Sequence, residues 1–215
     1  MAIKRIEISE KDLEKVIGKK IRGCDDDDLS DGGAISIIEN HIYFYADINP
    51  LTILKLNTFL TALLKENLSE AAAKGKEPDP INLHINSPGG HASAGFLGYD
   101  TIMSIKQKVP VYTYIEGMAA SAATFMSIAG TKRYITPTSS MVIHEVRAWL
   151  GGTSSKIMEE YKNLTKVKNK VEQLYLKHSN FKLEELQEFL KRDTLMTAEE
   201  ALERQLVDEI KTSLF

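Results

Sequence analysis

Residues 81–135 read INLHINSPGG HASAGFLGYD TIMSIKQKVP VYTYIEGMAA SAATFMSIAG TKRYI, and the fold of the chain turns on this stretch. Ile81 to Ile85 is a short apolar, β-prone run, Ser87-Pro88-Gly89-Gly90 has the chemistry of a turn, and Ala92 to Ile105 carries helical periodicity. Val111 to Ile115 predicts a second strand. Gly117 then opens a run of small residues, Met118-Ala119-Ala120-Ser121-Ala122-Ala123, which predicts a helix continuing to Gly130, a natural C-terminal stop. Arg133 to Ile135 and Met141 to Ile143 predict further strands. Strands alternating with helices at these intervals require crossover connections, so the expected class is α/β with a largely parallel sheet and right-handed crossovers.

Outward from this centre the pattern changes. Ile35 to Ile38 and Ile42 to Tyr45 are two β-prone runs separated by Glu39-Asn40-His41, and Leu51, Leu54, Phe59 and Leu63 follow at roughly helical spacing. A strand pair leading into a helix is expected, with Glu70 to Pro80 as a fraying helix end that becomes an exposed connection. On the C-terminal side, Ile157, Tyr161, Leu164, Val167, Val171 and Leu174 step by three or four residues through a charged segment, predicting one long helix from Ser154 to His178. Its apolar stripe fits packing on its own core or contact with another subunit. Thr197-Ala198-Glu199-Glu200 matches a capping box, which places Asp193 just upstream of a helix start.

The chain has 215 residues, a net charge of −3 and ordinary apolar and charged fractions, so one domain over 1–215 with a single core is expected. No apolar run approaches the roughly 18 residues of a membrane span. The first residues lack the basic and apolar blocks of a secretory signal, and the expectation is a cytoplasmic protein with no membrane partner. Without a basic stripe beside aromatics, a nucleic-acid partner is not expected. Cys24 is the only cysteine, which excludes an internal disulfide framework. The four aspartates that follow it oppose a thiolate nucleophile. Asp25 to Gly33 reads as a solvated turn; as a calcium loop it would set Leu29 and Ile38 at ligand positions, so no metal is expected there.

A serine hydroxyl is a weak nucleophile near neutrality, and acyl transfer needs a base, an orienting group and donors for the developing oxyanion. Ser121 lies at a strand-to-helix passage through Gly and Ala, where the chain can turn tightly. His144 ends the run Met141-Val142-Ile143 at a strand terminus. Gly89 and Gly90 lack side chains, so their amides can approach a substrate closely. Each feature alone also has a plain structural reading: a helix cap, a satisfied histidine, a Pro-Gly turn. Of the other histidines, His91 is a second candidate base; His41 borders a turn, His84 flanks the glycine loop, and His178 sits at a helix C-terminus, where positive charge is favourable.

Taken together these residues resemble a family. Ile85-Asn86-Ser87-Pro88-Gly89-Gly90, Gly95, Tyr99-Asp100-Thr101-Ile102-Met103, Ile105-Lys106, Gly117-Met118-Ala119-Ala120-Ser121, Ala129-Gly130, Met141-Val142-Ile143-His144, Arg192-Asp193, Ala198, Glu200-Ala201 and Leu206-Val207-Asp208 are similar, in order and spacing, to the proteolytic subunit of the Clp proteases. The resemblance implies a serine endopeptidase with Ser121 as nucleophile, His144 as general base and Asp193 holding the imidazole tautomer. It implies an oxyanion hole from the backbone amides of Gly90 and Ala122, and no cofactor. It also implies a ClpP/crotonase-like β/α spiral, in which 154–178 is a handle helix through which heptameric rings stack into a tetradecamer around unfolded or peptide substrates. Residues 1–34 form a divergent N-terminal segment.

Departures from the pattern carry further expectations. Ala122-Ala123-Thr124 replaces the usual Met-Gly and is more similar to the Clp-related proteases of phage head maturation, which would place the chain in a host cytoplasm. Glu145-Val146 replaces Gln-Pro, and the glycine pair comes late, at Gly151-Gly152, so the substrate-edge strand is expected to differ. Asn82 and His84 stand where the family presents aromatics to an AAA+ unfoldase, so weak docking is expected. Gln205 replaces a helix-ending glycine, at a cost of about 1 kcal/mol if the left-handed conformation is kept. The alternatives are a virus-assembly or scaffold ring with little or no peptidase activity, and a crotonase-type acyl-CoA enzyme, for which no carboxylate base stands near the glycines.

Overall fold

Ile42, Phe44 and Ala46 turn into the core while Tyr43 and Tyr45 turn away, the alternation expected of a strand covered by helices on one face. In the computed structural model, which describes residues 21–22 and 33–212, this strand is β3 (His41–Ala46). It follows β1 (Ile21–Arg22) and β2 (Gly33–Ile38), each antiparallel to its neighbour. Cys24 and nearly all of the Asp25 to Gly33 turn lie outside the described residues. The sheet then continues in parallel through β4 (Ile81–Ser87), β5 (Val111–Ala120), β6 (Lys132–Ile135) and β9 (Glu209–Ile210). The parallel α/β expectation therefore holds along β3, β4, β5, β6 and β9, with an antiparallel hairpin at one edge.

The helix α1 (Pro50–Lys74) starts at a full cap: Asn49 Oδ1 accepts from Leu51 N at 2.9 Å and Thr52 N at 3.0 Å, while Thr52 Oγ1 accepts from Asn49 N at 3.0 Å. Its buried face is Ile53, Leu56, Leu60 and Leu63. Of the residues expected at helical spacing, Leu63 is buried and Phe59 packs partly against the core, whereas Leu51 and Leu54 are exposed and Ile53, Leu56 and Leu60 take the buried face. Helix α2 (Ala92–Ile105) has the predicted bounds. One continuous apolar cluster extends from Ile35 to Val207. Among the described residues no helix is long and apolar enough to cross a membrane.

β5 departs from expectation in a way that builds the site. The small residues after Gly117 were expected to be helical, yet Met118 to Ala120 continue the strand. Gly117 adopts φ +84°, a conformation open to glycine, and the register against β4 shifts between Ile85 and Ser87. Beyond this kink the strand changes partner: Tyr112 to Ile115 pair with β6, whereas Met118 to Ala120 pair in parallel with β7 (Ser140–Val142). β7 in turn pairs antiparallel with β8 (Leu195–Met196). Helix α3 (Ala122–Ser127) is consequently short, ending before Gly130.

Helix α4 (Ser154–His178) has the predicted limits, but only Val171, Glu172 and Tyr175 in its second half are fully buried. The helices α5 (Leu183–Leu190) and α6 (Ala198–Glu203) complete the chain. The capping box of α6 forms, with Thr197 N donating to Glu200 Oε2 at 2.8 Å and Glu200 N to Thr197 Oγ1 at 3.3 Å. At its other end Gln205 keeps the left-handed conformation, φ +56°, and the main-chain bonds Leu206 N to Ala201 O and Gln205 N to Leu202 O, both 2.9 Å, form the usual glycine-type stop.

Candidate active site

Ser121 follows the last residue of β5 and precedes α3. Its backbone has φ +52° and ψ −124°, a conformation that costs a non-glycine residue about 1–3 kcal/mol and persists only where the surroundings impose it. Three contacts impose it here. Ser121 N donates to Val142 O at 2.7 Å, and Ser121 O accepts from Thr124 N at 3.0 Å and from Thr124 Oγ1 at 2.6 Å. Because that hydroxyl's one proton goes to Ser121 O, Thr124 Oγ1 must accept from the Tyr175 hydroxyl, 2.7 Å away. Tyr175 is fully buried, and burial pushes its phenol up, so it stays a donor. A strained serine at a strand-to-helix turn projects its hydroxyl clear of the sheet, the arrangement known from nucleophile elbows.

The register of β5 against β7, with Ala120 opposite Val142, brings the segment after β7 beside Ser121. His144 is in that segment, and its Nδ1 lies 2.7 Å from Glu145 O. A carbonyl only accepts, so Nδ1 carries the proton, and a neutral imidazole then has its lone pair on Nε2, the tautomer a general base needs.

The glycine loop closes on the same place. Ile48 N donates to Gly89 O and His91 N to Ile48 O, each at 2.8 Å, which pins the loop between them. Gly90 has φ +148°, and a Cβ there would come within 2.2 Å of Ile48 O, so no other residue fits without displacing that bridge. Gly90, Ser121, Ala122 and His144 line one cleft of about 270 Å³, whose remaining wall includes Ala92, Phe125, Val146, Val171 and Tyr175. His91 lines it too.

Asp193 stands apart. Its carboxylate is paired with the Arg147 guanidinium and it does not line the cleft, while the His144 Nδ1 expected to meet it is bonded to Glu145 O. The two are nonetheless close in topology. Val142 is opposite Leu195 at the last pair of β7 and β8, and the next main-chain bond between the two segments, Glu145 N to Leu190 O, falls two residues out of that register.

Sequence reading missed Thr124, Tyr175 and Arg147. Thr124 and Tyr175 read as ordinary helix residues, and only packing joins them to Ser121. Two histidine readings also change. His84 lies within β4, fully buried, stacked between Tyr43 at 4.5 Å and Tyr114 at 4.7 Å and bonded to Glu116; it belongs to the sheet and not to the glycine loop. His178 does not carry the favourable helix-end charge expected. Burial and the neighbouring Lys106, Lys177 and Arg133 lower its pKa to about 4, and the neutral ring is hydrogen-bonded to Tyr99 Oη at 2.8 Å.

The mixed α/β chain thus sets a strained serine and an imidazole in one cleft at the ends of adjoining parallel strands. The family model for Clp protease matches residues 57–213, and the chain belongs to that family.

Proposed function

We propose that the protein is a serine endopeptidase in which Ser121 Oγ attacks the scissile carbonyl and His144 Nε2 takes its proton. The imidazolium then returns that proton to the leaving amine, and the acyl-enzyme is hydrolysed by water activated in the same way. Asp193 stabilises the imidazolium, and the main-chain N–H groups of Gly90 and Ala122 receive the oxyanion, a contribution worth about 10²–10³ in rate per donor in comparable sites. The observation that carries this reading is Ser121 held at φ +52° in a cleft it shares with His144 and Gly90. No cofactor is invoked.

Rings are part of the proposal. The first half of α4 leaves Met158 and Tyr161 each 58% exposed, an apolar strip suited to stacking heptamers into a tetradecamer. The whole chain then acts as one protease domain with a divergent N-terminal segment, in the cytoplasm, on unfolded chains or peptides. An AAA+ unfoldase is expected to dock weakly, because the polar Asn82 and His84 stand buried in the sheet where the family presents aromatics. A second reading, a scaffold ring with little activity, draws on the pairing of Asp193 with Arg147. Fluorophosphonate labelling decides between them. The assembled protein should be labelled at Ser121 and cleave a fluorogenic peptide, with both lost in Ser121→Ala; an unlabelled, inactive wild-type assembly would leave the scaffold reading standing.

A further inference from the structure

Arg147 is three residues beyond His144 and lines the cleft that contains Ser121, yet its guanidinium reaches out to Asp193. Asp193 holds Arg147, and the segments that carry Asp193 and His144 run on from the paired strands β8 and β7, whose last pair is Leu195 opposite Val142. The backbones that carry them are already joined, since Glu145 N donates to Leu190 O at 2.9 Å. Glu145, the nearest acidic residue on Arg147's own segment, is directed to Lys168 at 3.6 Å.

We propose that Arg147 is a positioning residue that holds Asp193 in reserve, so that a peptide strand bound along 145–150 draws Arg147 away and frees the carboxylate for His144. This rests on the reading of Ser121, His144 and Asp193 as a triad. The side chains of Arg147 and Asp193 are 70% and 61% exposed, so the pair is a weak latch that substrate can open. The latch does not disturb the imidazole tautomer, because Glu145 O holds the Nδ1 proton in the meantime.

The experiment compares wild type, Arg147→Gln and Arg147→Lys in fluorophosphonate labelling and peptide turnover. Arg147→Gln should label about two- to fivefold faster at low salt, the range a surface ion pair allows, with Arg147→Lys close to wild type. The wild-type rate should rise between about 0.05 and 0.5 M NaCl as screening weakens the pair, while Arg147→Gln stays flat. An Arg147→Gln protein of wild-type mass and melting temperature that labels no faster overturns the latch while the triad stands. Should that variant fail to assemble, a wild-type rate that does not rise with salt overturns it alone. Absence of Ser121 labelling in all three would remove the triad and the latch together.

Discussion

At the residue scale, the site depends on a serine whose backbone conformation is unfavourable by itself. Tyr175 contributes to holding it through the relay from its hydroxyl to Thr124 Oγ1 to Ser121 O. Replacing Tyr175 by Phe removes the donor but little volume. The expected result is a loss of about 1 kcal/mol of stability, read from the urea midpoint, together with slower labelling of Ser121. A Tyr175→Phe protein that labels at the wild-type rate would show that the strand pairing alone maintains the turn. This relay joins residues far apart in sequence, and nothing in the helical spacing of Tyr175 distinguishes it from an ordinary core aromatic. Ser121 was legible because small residues and a serine at a strand-to-helix passage are a local signal. The residues that support it were not, because their contact is created by packing α4 against α3.

At the element scale, α4 has two characters along one apolar stripe. Val171 and Tyr175 pack on the core, whereas Met158 and Tyr161 stand in solvent. The periodicity predicted the helix and its stripe, but a period of 3.6 residues is the same whether the face meets its own chain or a second copy. Tyr161→Glu should therefore leave the fold intact, since the side chain is exposed, but shift a large assembly to smaller species by light scattering and reduce peptide turnover accordingly. Unchanged mass would separate α4 from assembly. β5 makes the complementary point. Its small residues read as helix because Ala and Met are good helix formers, and tertiary pairing with β7 overrode that preference.

At the scale of the whole molecule, charge and burial set how the fold responds to pH. His178 is depressed to about 4 against an ordinary 6.5, so between these values the unfolded chain binds a proton that the folded one refuses. Its contribution is complete above pH 6.5 and is lost as pH falls toward 4. Thermal melts across this window should show a steeper acid loss in wild type than in His178→Gln, which keeps a hydrogen-bonding group beside Tyr99 without the titration. Parallel acid slopes would assign the loss to carboxylates such as Asp208, whose pairing with Arg133 outweighs its burial and keeps it low.

The alternation of strands and helices from β2 to β7, the limits of α2 and α4 and the capping box at Thr197 were determined by the sequence, because each is a property of neighbouring residues and their periodicity. The motif order also carried the Clp protease family. Tertiary structure alone decided that β5 changes partner at Gly117, which face of α1 is buried, that Tyr175 supports the serine, and that Asp193 pairs with Arg147 instead of His144. Those outcomes are competitions between contacts of similar strength from distant parts of the chain, and a local pattern carries no information about which contact wins.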